Sequence, residues 1–154
     1  MSNAIEILEE MNAYNARVNA DFVQHLMREQ PESERIAELI SHIVSAHQIW
    51  LERISDQRMS VKVFAVRPYE ELLRQIEQNR ILTTQILRER ALSDSITYVN
   101  TKRQRFSNTI KEMFLHLFNH SSYHRGQINQ LLVAEGKSAM VSDYIVYNRT
   151  ELFD

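Results

Sequence analysis

The sequence has no cysteine, two prolines and two glycines. Without cysteine there is no disulfide framework, no thiolate-held zinc, no iron–sulfur cluster and no thiol nucleophile. The same absence fits a reducing compartment, and a cytoplasmic protein is expected. Scarce glycine and proline argue against a fold built of tight turns and hairpins and for long helices. Charge of one sign is also lacking. Eighteen Lys and Arg stand against twenty Asp and Glu, for a net charge of −2, which is not the balance of a nucleic-acid binder. No apolar run approaches the ~18 residues that a bilayer span needs, so no membrane partner is expected. The start, MSNAIEILEE, is acidic and amphipathic, unlike the basic and then apolar pattern of a secretory leader. What remains is a chain of 154 residues, 44% apolar, long enough for one domain with its own core, read as a single domain over 1–154.

Apolar residues recur at helical spacing in four stretches. The first runs from Ile5 to about Arg28 through Leu8, Met11, Tyr14, Val18, Phe22 and Leu26. The second runs from about Ser33 to Ile54, and the third from Pro68 to about Arg90. Both prolines fall at helix starts followed by acidic residues, where a missing N–H is harmless. The fourth begins near Ser107 or Asn108, either a good N-cap, and ends at Gly136. Residues 55–67 form a long connection. Residues 93–107 alternate Ile96 and Tyr98 with polar partners, which predicts a short hairpin around Asn100-Thr101. The tail reads as a loop and a short helix that packs Tyr144, Ile145 and Tyr147. The class is all-α, a four-helix bundle with a short C-terminal extension.

Chemistry concentrates in six histidines: His25, His42, His47, His116, His120 and His124. His120 and His124 are four apart on the fourth helix, so their rings lie one above the other on the bundle-facing side. Buried imidazoles need hydrogen bonds or a metal, and imidazole is the commonest metal ligand. Two ligands make half a site, and the second helix offers His42 and His47 as the third. The helical wheel puts His47 near the centre of the core face and His42 on its flank. There is no HExxH for a zinc protease and no ExxH pair for a di-iron bundle. His116 is read as structural, His25 as a surface or inter-helix residue, and Trp50 as core. Gly126, in mid-helix at a cost of ~1 kcal/mol against Ala, predicts a close approach to the backbone. Arg125 is expected to salt-bridge a neighbouring helix. The basic run Lys102-Arg103-Gln104-Arg105 reads as a solvated loop.

At LHLFNHSSYHRGQI the chain resembles the DinB family of DinB/YfiT-like metalloenzymes. Their late helix carries an NHxxxHRGQ-type motif, matched by Asn119, His120, His124, Arg125, Gly126 and Gln127. ISHIVSAHQIWLERI resembles the family's second helix, and SDYIVYNR resembles its close. The resemblance implies an up-down-down-up four-helix bundle, a divalent metal held by His42, His120 and His124, and a homodimer. His47 then becomes a group that supports the ligands from behind or faces the substrate, or else the alternative third ligand. Zn²⁺ and Ni²⁺ lead as the metal, ahead of Fe²⁺ and Mn²⁺, since all accept imidazole. The resemblance further implies a metal-dependent transferase that activates a low-molecular-weight thiol for a small-molecule substrate. The alternatives are a metal-dependent hydrolase, or a non-enzymatic dimerisation or ligand-binding module with an idle metal site.

Overall fold

The computed structural model describes residues 2–100 and 102–149. The chain forms α1 (Ser2–Glu29), α2 (Glu34–Ile54), α3 (Tyr69–Glu89), β1 (Ser95–Val99), β2 (Arg105–Thr109), α4 (Ile110–Ala134) and α5 (Tyr144–Asn148). It is mostly helical, with one small antiparallel sheet. Left-handed residues stop the first two helices: Gln30 has φ 47° and Asp56 has φ 53°. Gly136, at φ 72°, closes α4 as its spacing predicts, and the Lys137 N–H bonds back to the Leu132 carbonyl.

The start of α4 differs from expectation. Ser107 and Asn108 lie in β2, and Thr109 is the cap. Its hydroxyl accepts from the Glu112 N–H while the Glu112 carboxylate accepts from the Thr109 N–H, a reciprocal pairing that neither serine nor asparagine upstream could complete with Glu112. The hairpin therefore runs to Thr109, in a register that sets Tyr98 opposite Phe106. Thr101, in its turn, lies outside the described residues. In the tail, Tyr147 packs on the main core, but Ile145 is exposed rather than buried.

α1 and α2 each pack against both α3 and α4. Their apolar faces build two clusters. One gathers Phe22, Leu26, Ile36, Ile40, Leu72 and Ile128. The other gathers Leu8, Leu51, Ile54, Leu87, Phe114 and Leu117. On α2 and α4, the stretches between the two clusters carry buried polar groups instead: Ser45 and His47 on one helix, Ser121 and Arg125 on the other. Asn79 and Thr83 on α3 are buried as well. Among the described residues no helix is long and apolar enough to cross a membrane.

Candidate metal centre

Beside the first cluster α2 contributes His42, between Ile40 and Ile43, and α4 contributes His120 and His124, between Phe118 and Ile128. The His120 Nε2 lies 2.9 Å from the Nε2 of His42 and 3.1 Å from that of His124. Ligand atoms of all three fall within 4.8 Å of one another. The far side of two rings decides what the near side offers. The Nδ1–H of His42 donates to the Val63 carbonyl at 3.0 Å, and that of His124 donates to Gln127 Oε1 at 2.6 Å. Each thereby turns a bare Nε2 lone pair inward. His120 Nε2 carries at most one proton to share with two lone pairs, so neutral rings alone cannot satisfy this cluster. His120 Nδ1 is buried without a partner.

A divalent cation suits that donor set. Tetrahedral zinc with bonds of ~2.0–2.1 Å wants nitrogens ~3.3 Å apart, a small outward relaxation from the 2.9 and 3.1 Å that separate His120 from its two neighbours. The protonation states agree. Burial pulls His42 below its ordinary pKa, against the opposing pull of the Val63 carbonyl. Burial first, and then the neighbouring His124, His42 and His116, take His120 down to about 3. Both are therefore neutral near pH 7, the form that binds metal. No carboxylate joins the group among the described residues. The Phe64 ring stacks on His42 at 4.3 Å, and Tyr123 meets His124 edge-on at 5.1 Å.

The other histidines go elsewhere. His47 is buried against α3, its Nε2 2.9 Å from Thr83 Oγ1. Burial alone lowers its pKa to about 4. His116 lies with its ring 5.4 Å from Trp50 and 5.5 Å from His120. Trp50, expected in the core, is only partly buried and packs at the edge of the second cluster. His25 donates to the Ser138 carbonyl at 2.7 Å, tying α1 to the segment after α4.

Two motif expectations fail. Arg125 makes no salt bridge among the described residues. Its guanidinium is 1% exposed and donates to Asn15 and Asn19 at 3.1 and 2.7 Å, and to Ser122 and the Tyr14 hydroxyl. Amide and hydroxyl oxygens solvate the cation there in place of an acid. At Gly126 nothing among the described residues approaches: a Cβ would meet none of their atoms within 4 Å. Sequence reasoning missed Val63 and Arg67. The carbonyl of Val63 has no side-chain signature. Arg67 pins the α2–α3 connection by donating to Ser45, Gln48, Glu71 and Gln75.

The model of the DinB family matches residues 1–151. Protein DinB of Bacillus subtilis (strain 168) is 23% identical over 124 residues, 73% of this chain and 71% of that protein. No solved structure matches significantly.

Proposed function

The chain belongs to the DinB family, and from that premise we propose that it is a metal-dependent enzyme, a transferase that joins a small thiol to an electrophile. The observation that carries this reading is the convergence of three imidazole nitrogens, two of them with their outer N–H already committed. His42, His120 and His124 would hold the ion, with Zn²⁺ or Ni²⁺ favoured by an all-imidazole set. A divalent ion with neutral ligands keeps its full charge and supplies Lewis acidity that lowers the pKa of a nearby thiol or water. Val63 and Gln127 keep two rings aimed, and Phe64 covers one face of His42. In the transfer the sulfur forms a bond to the electrophilic carbon as the leaving group departs, and the thiol proton is released.

The finer architecture is part of the same proposal. We read residues 1–154 as one domain, a four-helix bundle of up-down-down-up type, supported by the packing of α1 and α2 each on α3 and α4. A homodimer is supported by the exposed Leu115, Tyr123 and Val133 on the outside of α4. A cytoplasmic site is supported by the absence of cysteine.

The test supplies metal-loaded protein with a panel of small thiols and a generic electrophile and follows conjugate formation. Conjugation above the uncatalysed rate, lost in His120→Ala together with bound metal by elemental analysis, is the expected result. Metal-dependent ester or amide cleavage with no thiol conjugation would replace the transferase by a hydrolase. Silence in both assays would leave an idle site on a helical module.

A further inference from the structure

Outside the histidine group, one cation is held in an unusual way. Arg53 is the basic residue in the last turn of α2. Its guanidinium lies 4.5 Å from the Trp50 ring centroid and 5.0 Å from that of Tyr98, and the two rings meet edge to face at 5.0 Å. Among the described residues its side chain makes no ion pair; Arg17 and Arg125 also lie over a ring without one, but each over a single tyrosine, whereas Arg53 lies against two rings. Asp56, three residues on, lines the same cleft and is still not its partner. The aromatic pair holds the head of a five-donor fork, whose N–H groups make no hydrogen bond among the described residues.

That fork faces a cleft of about 360 Å³ between the end of α2, the α2–α3 connection and β1, lined by Ile49, Glu52, Val63, Thr97 and Tyr98 among others. Glu52 is already committed: its carboxylate accepts from the Ser60 N–H, the Ser60 hydroxyl and Gln48. His42, Ile49 and Arg53 follow one another at steps of seven and four, so they share one face of α2. About 16 Å of helix separates the first from the last. Val63 belongs to both places, since it lines the cleft and its carbonyl holds His42.

We propose that this cleft binds the oxyanion end, carboxylate or phosphate, of an elongated small-molecule substrate through Arg53, with the reacting end at His42, His120 and His124. Guanidinium suits either oxyanion through paired N–H donors. The placement of the reacting end rests on the enzymatic reading above; the oxyanion site rests on Arg53 and its cleft.

Trp50 is the sole tryptophan and lies against Arg53, so its emission reports on what the guanidinium binds. Metal-loaded protein is titrated with succinate, with inorganic phosphate, with glutathione and with glutathione diethyl ester. We expect a saturable change with succinate or phosphate, the stronger naming the preferred group, and glutathione binding roughly tenfold tighter than its ester. Arg53→Gln should remove that preference while binding the ester as before, and Arg53→Lys should keep part of it, with helical circular dichroism unchanged in both. No saturable response to either oxyanion, equal binding of acid and ester, or an unchanged preference in Arg53→Gln overturns the proposal. The thiolate absorption band of Co²⁺-substituted protein is read separately. An Arg53-dependent oxyanion response without that band keeps the cleft and removes the thiol reading. The band with equal affinity for acid and ester does the reverse.

Discussion

An imidazole has two nitrogens, and what one of them touches fixes what the other can do. His42 and His47 sit on the same helix and illustrate the two outcomes. His42 commits Nδ1 to a backbone carbonyl and turns Nε2 toward His120. His47 spends Nε2 on Thr83 inside the helices, where burial lowers its pKa to about 4. The unfolded chain takes up this proton near pH 6.5, but the folded chain resists it until about pH 4. Between those values the unfolded state binds more protons, so stability falls as the solution is acidified and is fully present only above the unfolded pKa. The expected contribution is roughly 3 kcal/mol. His47→Gln, which can still donate to Thr83, should flatten the fall in denaturant-measured stability between pH 7 and pH 4 and retain bound metal. His42→Ala should lose the metal. A His47→Gln variant with wild-type pH dependence would show that this ring does not carry the effect.

At the scale of elements, the helices were largely legible because their apolar residues keep a 3.6-residue period and their ends carry proline, acid or glycine. His120 and His124 were legible for the same reason, since a four-residue step on one helix is itself a statement about space. The third histidine was not settled by periodicity. The wheel ranks burial and sets His47 at the centre of the core face; that ring is buried against α3, but His42 is buried too, so burial does not separate them. The group at α4 instead uses a flank residue, which only the resemblance indicated. The start of α4 was misjudged because Ser107, Asn108 and Thr109 all make good caps, and the choice depends on Glu112 reaching back. Gly126 was misjudged because a mid-helix glycine advertises a close neighbour that is not there. Its exposed, helical backbone gives Ala no atom to strike. Gly126→Ala should therefore raise stability, by up to ~1 kcal/mol in urea unfolding, through the lower entropy of the unfolded chain. A loss of stability would reveal a neighbour at that surface, such as a second copy of the chain.

Across the whole molecule, two apolar clusters are separated by polar groups that cost desolvation and contribute little packing. Arg125 with Asn15 and Asn19, His47 with Thr83, and Asn79 with the Val44 carbonyl are each bonded, yet Asn12 Oδ1 and Arg125 Nε are buried without partners. The facing lone pairs of His42, His120 and His124 add to these polar groups, with His42 at the margin of the first cluster. They face one another between α2 and α4. An ion bound there would cross-link the two helices and would favour the folded state by mass action. At free metal 100-fold above its dissociation constant the gain is ~2.7 kcal/mol. For a chain of 154 residues that corresponds to a rise in Tm of ~5–11 °C. Zn²⁺ or Ni²⁺ added to chelator-treated protein should produce this rise in a thermal melt, and the metal that gives more identifies the tighter fit. In the double variant His120→Ala and His124→Ala the rise should vanish, with the metal-free Tm little changed, because the lost packing of these partly buried rings is offset by removing facing lone pairs and an unpartnered Nδ1. An equal rise in that variant would place the ion elsewhere on the chain.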